Sequence, residues 1–220
     1  IDAYPVDQSL LAGGTGNSLV APGDIRYVDL NGDNYIDWRD QDEIGKGGLP
    51  DMTYGINLNA SYKNFSLSML LQGASGFNFT FGNQIRNILI NNVVPYKFQY
   101  DYRWTPDPND PTVNINPNAQ LPASTAANAN ANNTQVSDFW LQDGTYLRLK
   151  NLNFGYELPQ QIKDFIGVDN FRLFVSGSNL ITWNNLGIYK GTFDSEGPIN
   201  QDGTTYPLIK TISYGINISL

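Results

Sequence analysis

The clearest structural signal in the chain is PLIKTISYGINISL, residues 207–220. Apolar side chains such as Ile212 and Ile216 share one parity, and small polar ones such as Ser213 and Asn217 share the other. Successive side chains of a strand point to opposite faces, so the pattern predicts a strand between an apolar and a polar environment. The stretch exceeds the ~9–11 residues with which a tilted strand crosses a bilayer. The last strand of a soluble β-sandwich would show the same alternation, so this segment alone leaves both structures open.

Composition narrows the classes of protein to consider. The 220 residues include no Cys and no His, which excludes disulfides, thiolate metal sites, His-ligated zinc and Ser-His-Asp triads. A net charge of −8 argues against a nucleic-acid partner. No apolar run approaches the ~18 residues of a membrane helix. A transmembrane barrel is compatible with the mean hydropathy of −0.34, because alternating strands average out.

Alternation of apolar and polar residues recurs upstream in four further segments. These predicted strands cover residues 53–62, 65–73, 145–158 and 170–183. Arg148 and Lys150 fall on the apolar parity of the third of them, near its start. With the terminal strand, the chain has five predicted strands, whereas the smallest membrane barrels use eight. We therefore interpret the chain, which begins with Ile1, as a C-terminal piece of a longer polypeptide. The rest of the barrel would be supplied either covalently or as a separate chain.

Loop lengths sort the predicted connections onto two sides. The connections at 63–64 and 159–169 are short, whereas 74–144 and 184–206 are long, as the periplasmic turns and extracellular loops of a membrane barrel are. The predicted organisation is an extracellular loop at 1–52, a hairpin at 53–73, a long extracellular loop at 74–144, a hairpin at 145–183 with a periplasmic turn at 159–169, an extracellular loop at 184–206 and a barrel strand at 207–220.

An acidic segment, DLNGDNYIDWRD at residues 29–40, has the spacing of a calcium-binding loop. The predicted oxygen ligands are Asp29, Asn31, Asp33, Asp37 and Asp40, with the backbone carbonyl of Tyr35. Two positions depart from the pattern, because Asn34 replaces the usual Gly and the last ligand is Asp rather than Glu. The alternative is a turn whose Asp and Asn side chains cap the backbone without metal.

Five ordered segments carry a family likeness. They are GDIRYVDLNGDNYIDWRDQDEIG, LPDMTYGINLNASYKNFSLSMLLQGASG, DGTYLRLKNLNFGYELP, FRLFVSGSNLITW and YPLIKTISYGINISL. In this order they resemble the C-terminal part of SusC/RagA-like TonB-dependent transporters, although the terminal Leu220 departs from the commoner aromatic end. The resemblance implies an all-β fold, the C-terminal antiparallel strands of an outer-membrane barrel of about 22 strands, as found in Bacteroidetes.

The same resemblance implies partners and a function. The family imports glycans or peptides, contains a plug domain, takes energy from TonB, ExbB and ExbD, and works with a SusD-like surface lipoprotein. Membrane lipid and lipopolysaccharide would surround the barrel. The plug and the TonB-contacting segment are absent from these 220 residues. The piece would supply barrel wall, lumen lining and extracellular loops, with its C-terminus in the periplasm.

Two sets of residues are candidates for contact with solute or partner. Lumen-facing asparagines are predicted at Asn57, Asn59, Asn151, Asn153 and Asn217. Aromatic residues predicted to contact substrate or the lipoprotein are Tyr100, Tyr102, Trp104, Trp140 and Trp183. The alternatives are that the asparagines only solvate the interior and that the aromatic residues pack within their own loops.

Two other functions compete with import. The first is a secreted, calcium-stabilised, β-rich carbohydrate-binding or adhesion module, which would fold alone as a soluble monomer. The second is a hydrolase using paired Asp and Glu residues of the loops, for which the sequence supplies no support beyond their presence. No catalytic residue is predicted, and the chain is not expected to be an enzyme.

Overall fold

A computed structural model describes residues 6–12, 20–87, 94–124, 131–198, 200–206 and 208–220. Parts of the predicted loops 1–52, 74–144 and 184–206, and Pro207, lie outside these ranges. The strands are β1 (Met52–Tyr62), β2 (Phe65–Ser75), β3 (Asn78–Phe81), β4 (Arg103–Trp104), β5 (Leu121–Ala123), β6 (Leu141–Asp143), β7 (Tyr146–Glu157), β8 (Asn170–Asn184), β9 (Asn200–Gln201) and β10 (Thr211–Ser219). The α-helices are α1 (Ser9–Ala12), α2 (Asn83–Arg86), α3 (Lys97–Tyr102) and α4 (Gln160–Ile166).

Short 3₁₀ turns complete the described elements, at Trp38–Asp40, Asn132–Thr134, Asp138–Trp140 and Gly187–Tyr189. None of the helices in the described ranges is long and apolar enough to cross a membrane. The chain divides into two compact units. The first consists of residues 1–45, 79–142 and 198–205, and the second of residues 46–78, 143–197 and 206–220.

The second unit is built on a five-stranded antiparallel sheet in the order β1-β2-β7-β8-β10. This confirms the predicted all-β, antiparallel fold. Each strand pairs with the next of the five along the chain, and the long connections follow β2 and β8. The short connections, at 63–64 and 158–169, lie at the same end of the sheet, because Tyr62 and Phe65 share a register row with Tyr156 and Leu173.

Cross-strand register sorts the side chains of this sheet into apolar and polar rows. One row contains Ala60, Leu67, Phe154, Val175 and Tyr214. The next row towards the chain's short turns contains Ser61, Ser66, Gly155, Phe174 and Gly215. Adjacent rows point to opposite faces, so the alternation read from the sequence becomes one apolar and one polar face of a single sheet.

A β-bulge interrupts the rows at Lys150. The register of β7 against β2 shifts between Leu70 and Leu71, where Asn151 and then Leu149 are the partners. Opposite Lys150, β8 also carries two residues, one of which is Asn179 with a left-handed φ of 52°. An extra residue reverses the parity of everything beyond it. The prediction that Arg148 lies on the apolar parity is therefore wrong, because the register aligns it with Gln72 and Thr182 on the polar face.

The first unit has a packed interior although the sequence predicts loop for most of it. Its buried apolar residues include Phe79, Phe81, Ile85, Phe98, Leu121 and Trp140. Side-chain amides fill the space beside this core, because the Gln8 amide donates to Asn132 Oδ1 at 3.0 Å and Asn132 Nδ2 donates to the Ile25 carbonyl at 2.7 Å. Buried polar groups need such partners, and here they join segments more than 100 residues apart.

Candidate functional surfaces

Much of the apolar face of the five-stranded sheet is uncovered. Phe154 and Val175 lie on central strands, yet 45% and 42% of their surface is exposed, and Ile216 on β10 is 61% exposed. Leu67 is half-buried between its strand neighbours. Within the described part of the chain, no second layer of protein therefore covers these residues. Contiguous apolar surface of this kind marks a site of contact with a partner or a membrane.

Aromatic rings mark the end of the apolar face at which the short connections lie. Phe65 on β2 stacks on Phe154 at 5.8 Å between ring centroids and contacts Tyr156 at 4.7 Å. Tyr62 lies in the same register row as Phe65. Rings with one polar edge are enriched where a hydrocarbon region meets water. This end of the sheet is therefore suited to a boundary between two media.

The polar face carries amides and hydroxyls. The predicted lumen residue Asn59 lies in one row with Ser68, Asn153, Ser176 and Ser213. Amide and hydroxyl side chains hydrogen-bond to water and to polar solutes without a fixed charge. This row gives the face a continuous line of neutral hydrogen-bonding groups across all five strands.

The other predicted lumen asparagines share that face. Asn57 accepts a 3.4 Å hydrogen bond from Asn59 Nδ2, Asn151 accepts one of 3.5 Å from Ser178 Oγ, and Asn217 is the register partner of Arg172. The structure thus brings all five asparagines to one surface. Whether that surface lines a lumen stays a prediction.

A shallow depression on the polar face surrounds Arg172. Its lining includes Asn59, Ser66, Ser68 and Asn153, and it encloses about 420 Å³. Arg172 Nη2 donates to Ser66 Oγ at 3.1 Å and to Asn153 Oδ1 at 3.4 Å. Gly155 is buried beneath this arrangement, because a Cβ there would lie 2.5 Å from Arg172 Nε. A side chain at Gly155 would therefore have to displace the Arg172 guanidinium from its present position.

A buried ion cluster lies near the other end of the polar face. Arg148 is 1% exposed, and its guanidinium contacts the Asp194 carboxylate at 2.7 Å and the Glu196 carboxylate at 2.9 Å. Lys150 reaches the same Glu196 at 3.0 Å, and Arg148 Nε donates to Thr182 Oγ1 at 2.9 Å. Two cations and two anions tie the 194–196 turn to β7. Sequence reasoning missed this cluster because its partners are 46 and 48 residues apart.

Two of the predicted contact aromatics line a concavity in the first unit. Tyr100 and Tyr102 on α3 border a recess of about 580 Å³ together with Arg103, Asn116 and Asn118. The Arg103 guanidinium lies over the Tyr100 ring at 4.0 Å, and Asn116 Nδ2 donates to the carbonyl of Arg103 at 2.8 Å. Tyr100 remains 63% exposed. An exposed ring beside a guanidinium and amides can stack on and hydrogen-bond a polar ligand.

The three tryptophans of the predicted contact set occupy other positions. Trp104 is partly exposed, and its ring fills the space that a Cβ would need at Gly23, whose φ is +94°. Trp140 is 1% exposed and donates from Nε1 to the Asn133 carbonyl at 2.9 Å. A side chain so buried cannot stack on a ligand, so Trp140 has the packing role that was the alternative. Trp183 on β8 is the register partner of Leu147, on the apolar parity beyond the bulge.

Backbone hydrogen bonds close the acidic loop in the first unit. The Asp29 carboxylate accepts from the N–H groups of Gly32 at 2.6 Å and Asn34 at 2.8 Å. The Asp40 carboxylate accepts from the N–H groups of Leu30 at 2.9 Å and Asp37 at 2.8 Å, and these bonds hold the pKa of Asp40 below its ordinary value. The carboxylates at both ends of the predicted calcium loop thus cap its backbone.

An arginine lies between two of the predicted calcium ligands. Arg39 Nη2 is 2.7 Å from the Asp33 carboxylate and 2.8 Å from the Asp37 carboxylate. Hydrogen bonds from Arg39 lower the pKa of Asp37. Within the described ranges, no three or more acidic, His or Cys side chains are grouped so that they could hold a metal ion. The calcium site, including Asn31 and the Tyr35 carbonyl, stays a prediction.

The chain is similar in sequence to TonB-dependent receptors. It is 30% identical over 206 residues to TonB-dependent receptor P26 of Formosa agariphila and 29% identical over 215 residues to receptor P3 of the same organism. Each match covers 90% of this chain but only 20% and 19% of the relative. The chain thus spans about a fifth of the length of the relatives it matches. No protein-family model matches it.

Solved structures show the same fold. The RagAB peptide importer in its open-open state matches 92% of this chain with a TM-score of 0.63 and 22% identity, over 21% of that chain. Its closed-closed state matches 91% with a TM-score of 0.61 and 23% identity, also over 21%. The sequence likeness and the shared fold agree with the order of segments noted above. These likenesses support the resemblance of the chain to part of a SusC/RagA-like TonB-dependent transporter.

Proposed function

We propose that this chain forms one stretch of the wall of an outer-membrane β-barrel that imports nutrients. The observation that carries the proposal is the pair of opposite faces on one sheet. Phe154 and Val175 are exposed on the apolar face, whereas Asn59, Asn153 and Ser213 share a row on the polar face. The apolar face would meet lipid and the outer layer of lipopolysaccharide, and the polar face would line the lumen. Water-filled lumens and lipid-facing walls impose this alternation.

Open sheet edges support a larger barrel. Among the described residues, β1 pairs only with β2 and β10 only with β8. Unpaired strand edges in lipid leave N–H and C=O groups without partners at a cost of several kcal/mol each, so membrane-spanning sheets close. The rest of the polypeptide would supply the missing strands, to about 22 by resemblance, and the plug domain. These five strands would be the C-terminal ones.

The lengths of the connections support an orientation. The end of the sheet that holds the connections 63–64 and 158–169 would be periplasmic, together with the C-terminus. The first unit, which contains most of the long segments, would be extracellular. Substrates would then contact Tyr100, Tyr102 and Arg103 from the extracellular side. A SusD-like lipoprotein would cover this side, and TonB with ExbB and ExbD would act through the plug.

The proposed substrates are glycans or peptides, and this part of the proposal rests on the recess at α3. Tyrosine rings, a guanidinium and amide groups suit glycans and peptides, which offer hydroxyl, amide and carboxylate groups. One structural neighbour is described as a peptide importer. Import rather than chemistry is the proposed role, because the polar surfaces described here gather binding groups.

We also propose that the loop 29–40 lies outside the membrane and that a bound Ca²⁺ makes it rigid. Support comes from the four aspartates and Asn31 on one twelve-residue loop and from the burial of its anchor, Ile36. Calcium would have to displace Arg39 from Asp33 and Asp37. Terbium luminescence sensitised by Trp38 would report binding, and Asp29→Asn should weaken it. A loop that binds no terbium at millimolar concentration would overturn this proposal.

Expression of residues 1–220 alone tests the membrane-wall proposal directly. A sheet with two open edges and an uncovered apolar face should remain insoluble or unfolded without detergent. The full-length protein should instead appear in the outer membrane and accumulate labelled oligosaccharides or peptides until a protonophore is added. A cooperative, detergent-free folded monomer of residues 1–220 would contradict the proposal and favour the secreted module.

A further inference from the structure

The short helix α4 connects β7 to β8 and exposes apolar side chains. Phe165 is 90% exposed, and Ile162 and Ile166 are 44% and 45% exposed. These residues are spaced i, i+3 and i+4, so they form one stripe along the helix. A turn that met only water would gain nothing from three large apolar side chains on one side. The stripe therefore needs a partner.

An ion pair fixes the direction in which the stripe points. Lys163 is buried, and its Nζ lies 2.9 Å from Glu157 Oε1. Glu157 ends β7 in the register row of Arg172 and Asn217, on the polar face. Phe165 follows Lys163 by two residues, which is about 200° around a helix of 3.6 residues per turn. Phe165 therefore points away from the polar face.

Backbone bonds hold the helix close to the aromatic end of the apolar face. The Leu158 N–H donates to the Phe171 carbonyl at 2.9 Å, and the Val168 N–H donates to the Lys163 carbonyl at 3.1 Å. Gly167 ends the helix in a left-handed conformation with a φ of 72°. The helix is thus short and fixed at both ends. Its stripe lies beyond the row that contains Tyr62 and Tyr156.

We propose that α4 is a membrane-interface element whose stripe enters the boundary between headgroups and hydrocarbon of the periplasmic leaflet. This inference rests on the proposed function, since it requires the apolar face to meet lipid. Amphipathic helices bind at this depth through buried apolar area. One cation and one anion, Lys163 and Asp164, leave α4 without net charge, so apolar contact rather than attraction to anionic lipid supplies the binding.

Nitroxide labels on single cysteines test the proposal in the full-length protein, reconstituted into phospholipid bilayers. These 220 residues contain no Cys, so Phe165→Cys, Asp164→Cys and Phe154→Cys introduce unique sites into this part of the protein once cysteines elsewhere are replaced. Collisions with oxygen, which concentrates in hydrocarbon, and with a water-soluble nickel chelate report the depth of each label. Asp164 is the matched control, because it is exposed on the same helix but outside the stripe.

The label at 165 should show a ratio of oxygen to nickel collisions several-fold above that at 164 and below that at 154. A label at Ile166→Cys should behave like the one at 165. Equal ratios at 164 and 165 would overturn the inference, as would a label at 165 that neither reagent reaches, since that indicates a protein partner. If 154 is also open to nickel, the membrane-wall proposal itself fails.

Discussion

Phe81, Ile85 and Trp140 of the first unit are at most 1% exposed, whereas Phe154, Val175 and Ile216 of the five-stranded sheet keep 42–61% of their surface open. Both regions are rich in apolar side chains, but the described chain covers those of the first unit and leaves these three residues of the sheet open. Burial of apolar area stabilises a fold by about 25 cal/mol per Å². The sheet forgoes this gain inside the chain, which is reasonable only if its surroundings are themselves apolar.

The largest expected effect comes from the buried tryptophan of the first unit. Trp140→Ala in the full-length protein should destabilise that unit by about 3–5 kcal/mol, because a large buried ring and its bond to Asn133 are lost. Phe139→Ala is the matched control, since its neighbouring ring is 38% exposed. Proteolysis of the native protein would measure the difference. Equal cleavage rates in the two variants would show that the first unit has no such core.

An arginine introduced on the sheet should discriminate between its two faces. Leu67→Arg places a charge in the proposed hydrocarbon region and should cost about 2–4 kcal/mol of folding free energy into lipid vesicles. Ser68→Arg, one residue along the same strand, faces the polar side and should change this free energy little. Urea titrations of the reconstituted protein measure both. Similar costs at the two positions would contradict the assignment of faces.

In the ion cluster on the polar face, loss of the buried arginine should cost more folding free energy than loss of the partly exposed lysine. Arg148→Ala removes a buried guanidinium from Asp194 and Glu196 and should cost about 1.5–3 kcal/mol. Lys150→Ala, which touches only the second of these carboxylates and is partly exposed, should cost about 0.2–1 kcal/mol. Denaturant unfolding compares them, and faster proteolysis of the 194–196 turn should accompany the first change. Indistinguishable variants would show that the cluster does not hold the turn.

Acid should loosen the loop 29–40 by a smaller amount. The pKa values of Asp37 and Asp40 lie below the ordinary 3.8, so the ionised forms stabilise the folded loop at neutral pH. This contribution is lost as the pH falls from the ordinary pKa through the lowered ones. Amide exchange at Leu30 and Asn31, which donate to Asp40, should lose protection below a pH of about 3.8. Unchanged protection of these amides would show that the ionised carboxylates do not stabilise the folded loop.

The sequence predicts the five-stranded sheet well because the alternation that defines each strand is visible within a few consecutive residues. In β10, the side chains from Ile212 to Ile218 alternate without exception, and the register follows from that period. The bulge at Lys150 escapes this reasoning, since a single extra residue leaves each half of β7 with a regular pattern. Only Asn179, a residue tolerant of left-handed backbone, hints at it. The reversed parity then hides the role of Arg148.

The interior of the first unit could not be predicted in the same way. Gln8 and Asn132 are 124 residues apart, and neither lies in a periodic segment. Trp140 likewise lies outside any periodic segment, so the sequence does not distinguish a buried packing role from contact with a ligand. Tyr100 and Tyr102, by contrast, lie on one short helix and border the same recess. Sequence spacing therefore predicts the residues of a site only where those residues are close together in the sequence.

One labelling scan tests most directly whether lipid covers the apolar face. Nitroxides placed in turn from Thr211 to Ser219 of the full-length protein in bilayers should show oxygen collisions that alternate with a period of two residues. The maxima should fall at Ile212, Tyr214, Ile216 and Ile218, and collisions with a nickel chelate should be lowest there. A flat profile, or low access of both reagents at those four positions, would show that protein rather than lipid covers the face.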